Sequence, residues 1–86
     1  MTDKQALFFQ ELQIIQEQAV NMNNHQSDLT KEELLFNVSY DTLVLMMELL
    51  DGYRNMNLEL SDKESKEVLN ENIQLHDGLI DFLKSF

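Results

Sequence analysis

The sequence predicts an all-α protein, a small antiparallel bundle of three helical segments in a single domain spanning residues 1–86. Three observations lead to this prediction. The chain has no proline and two glycines, 43% of its residues are hydrophobic, and the apolar residues recur at helical spacing. A length of 86 residues corresponds to one domain.

The first segment is expected to be a helix from Asp3 to about Met22. Its apolar residues follow the spacing of a single helix face. They are Phe8, Leu12, Ile15, Ala19 and Met22, widened on one side by Leu7 and Ile14. The polar residues 21–28 then compete for backbone hydrogen bonds, so we expect them to end the helix and to form the main linker.

The middle segment begins at Thr30, because Glu33 stands three residues later and the two can form a capping box. It is expected to run from Lys31 to about Asn55, either as one helix or as two joined by a bend in "FNVSYD". Two apolar stripes lie roughly opposite each other. One comprises Phe36, Tyr40, Leu43, Met47 and Leu50, and the other comprises Leu34, Val38, Leu45 and Leu49. A helix that is apolar on two sides must be covered on both.

Two arrangements fit the C-terminal part of the chain. In the first, residues 56–61 alternate as a short extended stretch, and a capping box of Ser61 with Glu64 starts a helix that continues to Phe86. In the second, residues 58–69 form a small hairpin and the helix starts near Asn70. The sequence leaves both open.

The net charge of −10, from 16 acidic and 6 basic residues, disfavours some partners. Nucleic acid and anionic membranes repel such a protein, whereas a basic protein attracts it. No apolar run approaches the ~20 residues of a membrane span, and the N-terminus lacks a secretory signal pattern, so a cytoplasmic protein is expected. With no cysteine there are no disulfides or thiolate metal ligands.

The two Asp-Gly pairs, Asp51-Gly52 and Asp77-Gly78, are candidate carboxylate sites, but structural roles are expected for both. Gly52 would be the residue that stops the middle helix, or would let another helix approach closely. Gly78 would be a tolerated helix glycine or a close crossing with a second chain.

Catalytic chemistry finds little support in the sequence. Glu48 and Asp51 share a helix face, as do Asp77 and Asp81, but a di-metal bundle needs Glu-x-x-His elements that are missing. His76 projects among apolar residues and is expected to be a packed histidine, with a pH-sensitive contact or phosphorylation as the alternatives. We therefore expect no enzyme, metal site, cofactor or small-molecule ligand.

The doubly apolar middle segment predicts self-association, because two neighbouring helices can cover only part of it. A homodimer is expected, with the middle or last helix at the two-fold axis. The predicted interface residues are Leu34, Val38, Leu45, Leu49, Leu79, Phe82 and Phe86.

The expected function is a small, acidic, non-enzymatic protein-interaction module that binds itself and a protein partner, which its charge would favour to be basic. The alternative is an acidic inhibitor, of the immunity-protein or DNA-mimic kind, that blocks a basic nucleic-acid-processing enzyme. Its carboxylate row would be Glu64, Glu67 and Glu71 beside Asp77 and Asp81. A metal-dependent hydrolase ranks third.

Overall fold

The computed structural model describes residues 1–25 and 27–84 of the chain. The protein is all-α within these residues, as predicted, and the chain divides into two compact units, Met1–Leu45 and Met46–Phe86. We call them the N-terminal unit and the C-terminal unit. No helix in the described part of the chain combines the length and the hydrophobicity needed to cross a membrane.

Three helices form the fold: α1 at Asp3–Asn23, α2 at Lys31–Leu50 and α3 at Leu75–Lys84. Helix α1 packs against α2, and α2 packs against α3. Since α2 is one continuous helix through "FNVSYD", the bend considered from the sequence does not form. The hydroxyl groups of Ser39 and Thr42 donate back to the carbonyls of Phe36 and Val38, so these residues are accommodated inside the helix.

Helix α1 carries the best-buried side chains of the N-terminal unit. A capping box of Thr2 with Gln5 starts the helix, with bonds of 3.1 and 2.8 Å. The fully buried residues recur every four positions and are Glu11, Ile15, Ala19 and Asn23. The predicted stripe is thus confirmed at its centre, whereas Met22 at its end is 55% exposed.

Both ends of α2 follow local signals that the sequence contains. The predicted capping box at the start forms, since Thr30 accepts from the Glu33 N–H at 3.1 Å and Glu33 accepts from the Thr30 N–H at 3.3 Å. At the other end Gly52 has a φ of 88°. Its N–H donates to Leu49 and the N–H of Tyr53 donates to Glu48, a Schellman motif that ends the helix five residues before the expected Asn55.

Residues 51–74 contain no helix, so the prediction of a helix starting at Ser61 is wrong. The carboxylate of Asp62 accepts the N–H groups of Glu64 and Ser65 at 2.9 Å each. These bonds form a tight turn where the sequence predicts the first turn of a helix. Ser61 pairs with Val68 in a single antiparallel bridge. The hairpin alternative is therefore confirmed.

The helix that follows the hairpin starts at Leu75 rather than near Asn70, because the side chain of Asn70 braces the hairpin instead. Its amide donates to the carbonyls of Leu50 and Leu58 at 2.8 and 2.6 Å, and its oxygen accepts from the Leu60 N–H at 2.9 Å. A half-buried asparagine with three such bonds fixes the backbone in a non-helical path.

Candidate functional site

The two apolar stripes of α2 differ in their burial: one contains the buried Leu49, and the other contains the exposed Phe36 and Leu43. Leu49 is 1% exposed, and Leu34, Val38 and Leu45 are half-buried. These four are predicted interface residues; Leu49 is buried within the chain, and the other three keep part of their surface exposed. The most exposed large hydrophobic residue on α2 is Phe36, which lies on the opposite stripe.

We define the outer face of α2 as Leu35, Phe36, Ser39 and Leu43, which lie within one arc of the helix. Leu35 is 58% exposed, Phe36 67% and Leu43 43%. The hydroxyl of Ser39 is turned back to the carbonyl of Phe36 at 2.9 Å, so it adds little polarity. The ring of Tyr40 stacks on Phe36, with centroids 6.2 Å apart and an interplanar angle of 21°. The outer face is therefore apolar, aromatic and open to solvent.

Three of the four residues of the outer face, Leu35, Phe36 and Ser39, belong to the part of α2 that extends beyond the end of α1. The amide of Asn23, the last residue of α1, donates to the carboxylate of Asp41 at 2.8 Å. In an antiparallel pair this contact leaves residues 31–40 beyond the end of α1, an overhang of about 15 Å at 1.5 Å per residue.

The remaining predicted interface residues belong to the last helix. Leu79 is half-buried and Phe82 is 61% exposed. Phe86 lies outside the described residues. Whether any of the seven predicted residues meets a second chain stays a prediction.

A second feature, which we call the Asp51–His76 cluster, lies in the C-terminal unit. The carboxylate of Asp51, just after α2, accepts the N–H groups of Leu75 and His76 at 2.7 and 2.9 Å, and so caps the start of α3 from 24 and 25 residues away. Nδ1 of His76 lies 2.6 Å from the same carboxylate. The side chain of Asp51 is 0% exposed and that of His76 is 15% exposed.

The ionisation of the cluster follows from these bonds. Burial by itself would raise the pKa of Asp51, but the backbone and side-chain hydrogen bonds of His76 and the N–H of Leu75 outweigh it, so the pKa is lowered. The hydrogen bond to Asp51 raises the pKa of His76, against the effect of desolvation, with further help from the charges of Asp77, Asp51 and Glu48. An ionised carboxylate only accepts, so Nδ1 of His76 carries the proton in this contact.

The ring of Tyr53 packs against the imidazole of His76, and Gln74 holds the Tyr53 hydroxyl. The ring of Tyr53 stands edge-on to it with centroids 5.0 Å apart, and the Tyr53 hydroxyl donates to the Gln74 side-chain oxygen at 2.6 Å. Nε2 of His76 lies 3.5 Å from a carboxylate oxygen of Asp77. Each ring nitrogen thus faces a carboxylate, an arrangement that stabilises the charged imidazolium.

The hydrogen bonds of the cluster hold the start of α3. Among the described residues no group of three or more histidine and carboxylate side chains is placed to hold a metal ion. Gly52 has nothing within 4 Å of an added Cβ, so it serves as the helix stop and not as a close approach. The two residues of the Asp51-Gly52 pair therefore have separate structural roles: Asp51 caps the start of α3, and Gly52 ends α2.

The carboxylates expected to form a row do not share a helix. Glu64, Glu67 and Glu71 lie in the hairpin and the segment after it, whereas Asp77 and Asp81 lie exposed on α3. The row expected for a nucleic-acid mimic depended on a helix starting at Ser61, and that helix is not formed.

Sequence reasoning missed both long-range contacts, Asn23 with Asp41 and Asp51 with His76, because nothing local marks the partners. Comparison with models of protein families, with curated proteins and with solved structures finds no match to this chain.

Proposed function

We propose that the protein is a small, non-enzymatic interaction module that works as a homodimer, with two copies meeting through the outer face of α2. The observation that carries the proposal is the exposure of three large hydrophobic side chains within one arc of α2. Leu35 is 58% exposed, Phe36 67% and Leu43 43%. A contiguous apolar patch on the surface of a small protein commonly marks an interface.

The burial pattern supports the same conclusion. Of the described hydrophobic residues, Ile15, Ala19 and Leu49 are fully buried, a small core for a chain of 86 residues. Small domains without disulfides or structural metals commonly gain the missing stability by association.

The charge distribution favours a second copy of this chain at the outer face. Two molecules that each carry −10 repel one another unless they meet where carboxylates are few. Residues 34–47 carry one charged side chain, Asp41, and that group is bonded to Asn23 inside the N-terminal unit. Two copies can therefore join through the outer face without placing a carboxylate at the centre of the contact.

The overhang of α2 supplies a geometry for this association. In a two-fold dimer each overhang would lie along the other, so the same patch serves both copies. The Phe36–Tyr40 ring pair would then lie at the centre, where aromatic residues contribute most to association. Apolar surface that α1 leaves uncovered would be sheltered by the equivalent helix of the second copy.

The surface outside the interface keeps most of the acidic residues, and we propose that it steers a basic protein partner toward the dimer. Such steering raises the association rate and weakens as salt is added. We propose that the dimer binds its partner in the cytoplasm and catalyses no reaction.

Light scattering of two matched variants tests the proposal. Phe36→Asp puts a charge into the outer face, and Phe9→Asp makes the same change on α1, at a phenylalanine that is 54% exposed. The wild type and Phe9→Asp are expected to have twice the chain mass at tens of micromolar, and Phe36→Asp the mass of one chain of 10.1 kDa. Equal masses for the two variants, whether single or double, would contradict the assignment of the interface to the outer face.

A further inference from the structure

The Asp51–His76 cluster joins the end of one helix to the start of another through a single buried carboxylate. Both oxygens of Asp51 are used, one by the N–H of Leu75 and the other by the N–H and Nδ1 of His76. The carboxylate stands at the negative end of the α2 dipole, where an anion is disfavoured, and at the positive end of the α3 dipole, where it is favoured. The contact is therefore stable mainly because α3 and the imidazole are docked against it.

We propose that this cluster makes the docking of α3 within the C-terminal unit sensitive to pH. The helix is held firmly while His76 carries its second proton and is loosened when that proton leaves. This inference is independent of the proposed dimer, because it concerns residues of the C-terminal unit alone.

The groups that face His76 determine the direction of the effect. Asp51 and Glu48 face it from the end of α2, Asp77 from its own helix, and the ring of Tyr53 from the segment after α2. Asp51 and Asp77 each lie against one ring nitrogen of His76, and the charge of Glu48 also acts on the ring. When His76 is charged it offsets part of their mutual repulsion, and when it is neutral that compensation is lost.

The response is graded, because a neutral imidazole can keep the proton on Nδ1 and still donate to Asp51. What changes is the strength of the contact, since a hydrogen bond between two charged groups is stronger than one with a neutral donor. The N–H groups of Leu75 and His76 donate to Asp51 whether the imidazole is charged or neutral.

The shifted titration of His76 agrees with this geometry. Its pKa is raised in the folded protein by the contact with Asp51. A raised pKa means that the stabilisation is complete below the ordinary histidine value of about 6.5 and is lost as the pH rises through the folded-state value. Deprotonation of His76 lowers the equilibrium constant for docking of α3. The largest possible decrease is a factor of ten raised to the difference between the His76 pKa in the docked state and that in the undocked state.

Helix α3 has the features of an element that can loosen by itself. It has 10 residues and none of its described side chains is fully buried. Its inward-facing residues are half-buried; they are Leu75, Leu79, Ile80 and Leu83. Short elements with few buried contacts open at low free-energy cost. Loosening α3 would expose this apolar side to solvent.

Amide hydrogen exchange, followed by NMR on the wild type and two variants, tests the proposal. The quantity is the protection factor of α3 amides divided by that of α1 amides, which belong to the other compact unit. The ratio is measured from pH 6 to 9, so that pH effects common to both units cancel. In the wild type the ratio is expected to fall as His76 titrates, with the midpoint at the His76 pKa read from its ring shifts. His76→Gln is expected to give a pH-independent ratio.

The matched control is His25→Gln, which removes the other histidine, an exposed residue of the linker, and should leave the wild-type profile unchanged. Three results would overturn the proposal: a wild-type ratio that does not change with pH, a fall that persists in His76→Gln, or a His76 that titrates at or below its ordinary value. The first and third need no variant, so they hold even if His76→Gln fails to fold.

Discussion

The side-chain amide of Asn23 joins α1 to α2 by donating to the carboxylate of Asp41 across 2.8 Å. The same nitrogen donates to the carbonyl of Ala19 at 2.9 Å, so both of its hydrogens are used, and Asn23 is 4% exposed. One asparagine thus ends α1, sets its position along α2 and determines how much of α2 remains uncovered.

Replacing Asn23 by alanine should lower the free energy of unfolding by about 1–3 kcal/mol, because the half-buried Asp41 acceptor loses its donor. Urea denaturation measures this change. Asn21→Ala, at an exposed position of the same helix, should stay within about 0.5 kcal/mol of the wild type. Equal effects of the two substitutions would show that the contact does not position α1.

The two glycines should respond to alanine in opposite directions. Gly52 has a φ of 88°, a conformation that costs an L-residue about 1–2 kcal/mol, so Gly52→Ala should destabilise the protein by that amount. Gly78 lies inside α3, and an added Cβ would meet only the tip of Ile73 at 3.4 Å. Gly78→Ala should therefore stabilise by up to about 1 kcal/mol. Thermal unfolding of both variants is the measurement, and a stabilising Gly52→Ala would contradict the Schellman motif.

The cap that Asp51 provides should fail in acid. Because its pKa is lower in the folded state, the stabilisation is complete above the unfolded value of about 3.9 and is lost as the pH falls through the folded value. At pH 7, Asp51→Ala should cost about 1–2 kcal/mol, the effect of losing a helix cap.

The control for Asp51→Ala is Asp62→Ala in the hairpin turn. The N–H groups of Ser65 and Glu64 also lower the pKa of Asp62, but this carboxylate is exposed. Its removal should leave the exchange protection of α3 unchanged. Loss of α3 protection in both variants would contradict a specific capping role for Asp51.

Substitution of two leucines of α2 distinguishes a core position from a position in the proposed interface. Leu49 is 1% exposed and Leu35 is 58% exposed. Leu49→Ala should reduce the free energy of unfolding by about 2–5 kcal/mol at any protein concentration. Leu35→Ala should instead weaken dimerisation, so its effect on thermal stability should grow with concentration. Differential scanning calorimetry at two concentrations distinguishes them, and concentration-independent behaviour of Leu35→Ala would count against the outer face.

Local signals made much of the fold predictable. The helix start at Asp3, the Thr30 capping box and the stop at Gly52 each depend on residues within one turn, and the structure has all three. The capping box of Ser61 with Glu64 is an equally strong signal in the sequence, but the structure does not form it. Asp62 competes for the same N–H groups, and Asn70 holds the hairpin through bonds to Leu50 and Leu58 that no local pattern reveals.

The candidate sites could be predicted only in part, for the same reason. Both apolar stripes of α2 were visible in the sequence, but how far α1 extends along them depends on the contact of Asn23 with Asp41, 18 residues apart. The role of Asp51 depends on His76, 25 residues later. Periodicity identifies faces, whereas register between elements decides which face is exposed.

The mass of the wild-type protein in solution tests the central claim most directly. Sedimentation equilibrium over a concentration series should give a mass that rises from 10.1 kDa toward twice that value at tens of micromolar, in salt high enough to screen the charge of −10. A mass that stays at one chain throughout the series would contradict the proposed dimer and leave the outer face of α2 without its assigned partner.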